Sequence, residues 1–383
     1  MMRWLCALWL LACMASVASV ASAAGYPRTV TDIAGRAVVL PSEPRRVFLQ
    51  SGQDIVALAL LDRENPFARL AGWSNGIGDS DPGMWTLMQQ RWPGAARVPV
   101  LGFDNAGHVD LEALLRLRPD LLVAGITARA AIEGGPVGPI LDRLKIPVLY
   151  IDTQANAIVN TQQTIALLGR ALNREARATA YLADYRRRLA ALQTVTQRET
   201  RRPTVFIEAR AGRMGGQQCC YTQGNTAWGT MVAALGARNL GTALLRIPTG
   251  DVALETLIRL KPDVYIMTGT QQVRRGTRGI KLGYGGSAPE ATAAMAALMA
   301  RPGFRATARD PRSCVYALHH QFYNNPFNIV ALEYLARALY PQRFAHLDPD
   351  ASYRDLVARY TDLPATPFVF HVQRNHLGQD RCR

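Results

Sequence analysis

Glu175 to Glu199, EARATAYLADYRRRLAALQTVTQRE, is the stretch from which the fold is read. Ala176, Ala180, Ala183, Leu189 and Leu192 recur at helical spacing among charged and polar residues, and no Gly or Pro interrupts them. A helix of this length reaches roughly 35 Å, about the width of a small domain. Asn173 stands ahead of it as the expected N-cap, and a shorter helical run precedes that. Taken alone, this is an ordinary surface helix. Its flanks give it another meaning.

Both flanks carry versions of one sentence. Val109 to Gly125 reads VDLEALLRLRPDLLVAG, and Val252 to Gly269 reads VALETLIRLKPDVYIMTG. The Glu, the Arg one turn later, the Leu-basic-Pro-Asp corner and the apolar run keep register. Each copy predicts a short helix stopped by proline, then a buried parallel strand. The expected fold class is α/β: two similar lobes with mostly parallel sheets, joined by one long connecting helix. The boundaries are residues 1–23 for a signal peptide, 24–156 for the N-terminal lobe, 157–200 for the helical spine and 201–383 for the C-terminal lobe.

The 383 residues, 49% of them apolar, suffice for two cores. Arg3, the apolar run Trp4 to Met14 and the small residues Ala21-Ser22-Ala23 have the three parts of a secretory signal, with cleavage expected after Ala23. Leu10-Leu11-Ala12-Cys13 resembles a lipoprotein box, but its apolar run is short and the later site is the better one. No later run reaches the ~18 apolar residues of a membrane span. The mature chain is expected to be exported.

Removing Cys6 and Cys13 with the signal leaves Cys219, Cys220, Cys314 and Cys382, for which three complete pairings exist. A bond from one of the adjacent pair to Cys314 is the plainest expectation. No zinc-ligand spacing accompanies them. Lys and Arg number 44 against 29 acids, a formal charge of +15, but the cations are scattered arginines without a nucleic-acid-binding motif. The charge is read as a field that attracts an anionic ligand.

In the first lobe, Thr29 to Pro41 predicts a hairpin turning at Ala34-Gly35. Strands follow at Val47 to Gln50, Leu70 to Trp73, Leu121 to Gly125 and Val148 to Asp152. Ligands of such sheets gather beyond the carboxyl ends of the strands, which places Ser51, Gly52, Trp73, Ser74, Asn75, Ile126 and Thr127 on one rim. The insert Asn75 to Pro93, with Trp85 and Trp92, is too polar to be all core. In the second lobe, the strand Thr204 to Ala209 ends at Arg210, and a loop carrying Arg213, the cysteine pair and Tyr221 follows. A basic loop, Arg274 to Arg278, leads to Tyr284. The last strand, Val315 to Leu318, runs into His319-His320-Gln321-Phe322-Tyr323.

These pieces together resemble the periplasmic substrate-binding proteins of ABC importers, of the type that carries ferric siderophores, cobalamin or haem. The resemblance rests on Asp32-Ile-Ala-Gly-Arg36 with Pro41 and Arg46-Val47, on the two Glu…Pro-Asp repeats, on Leu168-Gly169-Arg170 and on the closing run Ala336 to Pro341. It covers nearly the whole mature chain. The resemblance implies two lobes around a ligand cleft between them, with a modest hinge, and an acidic residue on each lobe that docks onto the permease in the periplasm. Glu112 and Glu255 hold those positions; the plain alternative for each is a solvated helix residue. It also implies an inner-membrane permease and its ATPase as partners, for no P-loop occurs here, and a monomer with no cofactor of its own.

The expected ligand-binding set is Trp73, Arg210, Arg213, Tyr221, Tyr284, His320 and Tyr323. Arginines supply charge-assisted hydrogen bonds to an anionic chelate, and aromatic faces pack on flat ligand groups. Against this, Trp73 is also suited to a core, the arginines to the surface, and the tyrosines to capping a sheet. His319 and His320 are adjacent, so on an extended segment they face opposite ways and cannot share one metal. An anionic ferric siderophore leads, with haem and cobalamin behind it. Direct metal binding is a rival, for which His346, His371 and His376 cluster near the C-terminus. An exported hydrolase is the least supported, because no Gly-x-Ser-x-Gly elbow or His-Glu-x-x-His occurs.

Overall fold

The computed structural model describes residues 25–213, 219–271, 279–380 and 382. The signal segment with Cys13 and the basic loop Arg274 to Arg278 lie outside the described residues. No helix among those described is long and apolar enough to cross a membrane.

Two sheets form on a common plan. In the N-terminal lobe the strands Val47–Leu49, Leu70–Trp73, Leu121–Gly125 and Val148–Ile151 lie in the order second, first, third, fourth, all parallel. In the C-terminal lobe Thr204–Glu208, Arg238–Asn239, Val264–Gly269 and Cys314–His319 repeat that order. A fifth strand, His371–Asn375, adds antiparallel to the fourth. The hairpin Arg28–Thr31/Ala37–Leu40 turns at Gly35, whose φ of 78° suits glycine. Asp32 accepts from Arg36 and from the Tyr150 N–H (3.3 Å), so the opening motif stitches the hairpin to the edge of the sheet.

The repeated sentence has the same physical meaning in both lobes. Leu111–Arg116 and Leu254–Leu260 are helical, and the chain then turns left-handed at Arg118 (φ 46°) and, in the second copy, at Lys261 (φ 48°). Proline disfavours a helical residue before it, which ends each helix there. The aspartate that follows is a staple. Asp120 accepts from the N–H groups of Arg45 and Arg46 (2.8 and 3.0 Å), and Asp263 accepts from the Thr204 N–H (2.8 Å). Each ties the third strand to the chain entering the first.

The connection between the lobes is two helices, Val159–Ala171 and Glu175–Arg198. Asn173 is not the N-cap; it takes φ 59° between them, and the capping position falls on Arg174 without a side-chain cap bond. The buried stripe of the longer helix is also phased differently from the expected one. Ala176, Ala180 and Ala183 are exposed, while Tyr181, Leu182 and Tyr185 join Leu189 and Leu192 inside. Two tyrosine rings offer far more apolar area than three methyls, and their hydroxyls find partners at the Pro326 carbonyl and at Asn328 Oδ1 (2.7 Å). Through this stripe one hydrophobic cluster runs from Leu49 and Ile55 past Tyr181 to Val205 and Val330. Arg177 adds to the bracing, donating to the Leu60 carbonyl (3.0 Å) and to that of Tyr360 (2.9 Å). A core continuous across the spine limits how far the lobes hinge.

The disulfides differ from the expected pairing. Cys219 is joined to Cys220, and Cys314 to Cys382, so neither of the adjacent pair reaches Cys314. Cys314 opens the fourth strand and lies opposite Asn375 of the fifth, which leaves the tail beside it.

Candidate functional site

The loops after all four N-terminal strands meet one segment of the C-terminal lobe around a cleft of about 360 Å³. Ser51, Gly52, Ser74, Ile126 and Thr127 of the expected rim line it, and Tyr323 faces them from the other lobe. Gly52 is required by a close approach: a Cβ there would sit 2.1 Å from the Ser74 carbonyl oxygen. Gln50 fixes the floor, donating to the Phe103 carbonyl (3.0 Å) and accepting from the Gly125 N–H (3.0 Å).

The lobes touch on both sides of this cleft. Asn324 donates its amide to Gln53 Oε1 across the gap. On one flank Thr270 and Gln321 both donate to the Ser80 carbonyl (2.8 and 3.0 Å), and His319 Nε2 lies 3.2 Å from Asp81 Oδ2. On the other the Ala227 N–H donates to the Gln154 carbonyl (3.1 Å). The insert Asn75 to Pro93 supplies the first flank: it folds into helices Gly76–Ser80 and Pro82–Arg91, and its Trp85 and Trp92 pack around Phe67.

The wall offered by the C-terminal lobe is built as a relay. Arg210 follows the first strand at φ 51°, and its N–H donates to Thr268 Oγ1 (2.8 Å). Thr268 Oγ1 also lies 2.8 Å from His320 Nδ1. Burial, with Arg210, His319 and Arg213 nearby, pushes His320 well below the ordinary histidine range, so it is neutral at pH 7. Its ring stands edge-on to Tyr323 at 5.1 Å. Burial outweighs Arg210 and raises the Tyr323 phenol to about 12. Beside this, a second cavity of about 520 Å³ is lined by Arg210, Arg213, Cys219 and Tyr221. The Arg213 guanidinium lies 4.4 Å from the centre of the Tyr221 ring. The wall thus combines two arginines with aromatic rings, and the carboxylates of Asp251 and Glu255 line the same cavity.

Its base is a buried ion pair. Arg301 donates to both oxygens of Glu208 (2.8 and 2.6 Å), and Tyr265 donates to Oε2 (2.8 Å). Glu208, Cys219 and Cys220 bring ligand-type atoms within 4.8 Å of one another. That grouping is poorly suited to a metal, because the sulfurs are bonded together and the carboxylate serves Arg301.

Of the seven expected ligand residues, Arg210, Arg213, Tyr221 and Tyr323 are brought together here. His320 stands behind Tyr323 as its support. Trp73 and Tyr284 must be corrected. Trp73 has no exposed surface and packs against Phe67 and Trp85, since an indole at the end of a buried strand gains more from the core than from the cleft. Tyr284 is buried among Phe368 and Phe370, with its hydroxyl 2.8 Å from that of Tyr353. His371 stacks on Tyr316 and Tyr334 while His376 stacks on Phe304, so these two do not converge. Glu112 and Glu255 are exposed in the first turns of the two matching helices.

Gln50, Asp54, Asp152 and Thr153 were not singled out from the sequence. Their signal was position alone, at or just beyond the carboxyl ends of predicted strands.

Two lobes of parallel sheet around a central cleft define a solute-binding protein. Residues 71–307 match the family model described as periplasmic binding protein, and the chain belongs to that family. Over 257 residues it is 26% identical to a protein named cobalamin-binding protein from Halobacterium salinarum, covering 66% of this chain and 61% of that one. The chain therefore spans about three fifths of the length of the curated relatives it matches. The TroA-like periplasmic binding protein FepB from Veillonella parvula superposes with a TM-score of 0.81 at 22% identity, covering 91% of this chain and 100% of that one. MolA from Haemophilus influenzae, solved bound to molybdate, gives 0.61 at 18% identity, covering 87% and 97%. At such identities the structural likenesses speak for the fold.

Proposed function

We propose that this protein is the periplasmic solute-binding component of an ABC importer, and that it captures a ferric siderophore or similar iron complex for delivery to the inner-membrane permease. The observation that carries this reading is the wall of Arg210, Tyr323, Tyr221 and Arg213 beside the interlobe cleft. Guanidinium groups pair with the anionic oxygens of a chelate, and the rings pack on its planar groups. The protein itself performs no chemistry on the ligand: it closes part-way over it and releases it at the permease. Glu112 and Glu255, exposed at matching places on the two lobes, are the proposed docking carboxylates for a two-fold partner.

A second reading, cobalamin, is favoured by the opposite wall. Gln53, Asn105, Gln154, Ser51 and Thr153 present amides and hydroxyls suited to a neutral, amide-rich ligand, and the matched Halobacterium protein is named for cobalamin. Haem stands behind both.

Calorimetric titration with ferric catecholate, ferric hydroxamate, cobalamin and haem separates these readings. Saturable one-to-one binding of a ferric complex, absent for its iron-free form, is the expected result. Binding of cobalamin alone would replace the first reading with the second. Charge reversal at Glu112, which lines neither cavity, should abolish uptake and leave the affinity unchanged; a lost affinity would refute the docking role.

A further inference from the structure

Most of the buried acids are occupied by a cation or by N–H groups. Asp32 is held by Arg36, Asp184 by Arg187 and Arg188, Glu208 by Arg301 and Glu333 by Arg188, while Asp81 accepts from the Met84 N–H (3.2 Å). Asp152 has no cation, but accepts from the N–H groups of Gln154 and Ala155 (2.7 and 2.9 Å) and from the amide of Asn160 (2.6 Å).

Asp54 is different. It stands at the N-cap position of the helix Ile55–Leu61, yet its side chain accepts no capping hydrogen bond. It accepts instead from the Thr153 hydroxyl (3.0 Å), with Ser51 as a second hydroxyl donor, and its charged neighbour is another carboxylate, Asp152. It is 5% exposed, lines the cleft, and no Lys or Arg lines that cleft among the described residues. The third carboxylate there, Asp104, is exposed and engaged by the N–H groups of Ala106 and His108 and by the His108 ring. A buried carboxylate without a cation costs stability, and such groups concentrate where a ligand completes them.

We infer that Asp54 is a specificity-determining residue of the cleft: it receives a cationic or hydrogen-bond-donating group, foremost a protonated amine, on a chelate whose anionic side faces Arg210 and Arg213. The ligand is then two-faced, with a donor toward the N-terminal lobe and charge-bearing oxygens toward the C-terminal lobe. A purely anionic chelate would put like charge beside Asp54. This inference rests on the reading of the protein as a carrier of metal chelates, and it narrows which chelates are carried.

The test uses the full mature chain and two probes: an anionic ferric tris-catecholate with a free amine on its backbone, and the same complex with that amine acetylated. The wild type should bind the amine form about tenfold to a hundredfold more tightly, the range of a charge-assisted hydrogen bond. Asp54→Asn should abolish the preference and leave affinity for the acetylated form unchanged, which also shows that the variant is folded. Equal affinities in the wild type would overturn the inference and leave the chelate-carrier reading intact. An equal loss for both probes in Asp54→Asn would make Asp54 a structural residue. Binding of neither probe by the wild type would overturn this inference, and the chelate-carrier reading would be decided by the wider panel above.

Discussion

Replacing Asp54 by Asn should stabilise the ligand-free protein at alkaline pH, and the gain should vanish in acid. Burial raises the Asp54 carboxyl from 3.8 to about 6, Asp152 adds to the rise, and the hydroxyls of Thr153 and Ser51 only partly oppose it. A rise of about two units at ~1.4 kcal/mol each makes the charged form cost on the order of 3 kcal/mol of folding free energy. The sign follows from proton binding. Between about pH 4 and 6 the folded chain holds this proton more firmly than the unfolded one, so stability falls as pH rises through that window. Above it the full cost is present; below the unfolded value it is absent. Asn keeps the shape and an acceptor oxygen, and both hydroxyls can rotate to meet its amide. Urea denaturation at pH 8 and again near pH 3.5 measures the difference. The expected result is a variant more stable by up to ~3 kcal/mol at pH 8 and little changed at pH 3.5. A less stable variant at pH 8, or the same gain at both values, would refute the account of Asp54 as an uncompensated charge.

Other consequences follow from the same contacts. Arg301→Leu strands the Glu208 carboxylate beside Tyr265 and should cost about 3–5 kcal/mol in denaturation, while Leu at both positions should recover most of that loss. Gly52→Ala forces a methyl against the Ser74 carbonyl and should weaken ligand binding in titration more than it lowers overall stability, because the strain falls on the cleft floor. Serine at Cys314 and Cys382 removes a tie across 68 residues, worth up to about 4 kcal/mol; hydrogen exchange should rise first in His371–Asn375 and leave the cleft loops unchanged.

What the sequence disclosed depended on whether a signal was local. The Leu-basic-Pro-Asp corners were legible because proline and a left-handed turn act within a few residues, and the stapling roles of Asp120 and Asp263 follow from that same corner. The strands were legible as short apolar runs between turn residues. The phase of the long helix was not, since alanines mark a helix without saying which side is buried; Tyr181 and Tyr185 decided it through partners 145 and 143 residues away. Cysteine pairing is likewise a long-range property, as is the aromatic cluster that withdraws Trp73 from the cleft. The cationic half of the site could be read from arginines after a predicted strand. The acidic half could not, because Asp54 becomes unusual only when the structure shows that no cation stands beside it.

Hydrogen exchange of the mature protein with and without a saturating ferric chelate tests the central claim most directly. Capture between the two walls predicts new protection in residues 50–54, 125–127 and 152–154 of one lobe and in residues 209–213 and 320–324 of the other. Protection confined to one lobe, or lying away from these loops, would contradict it.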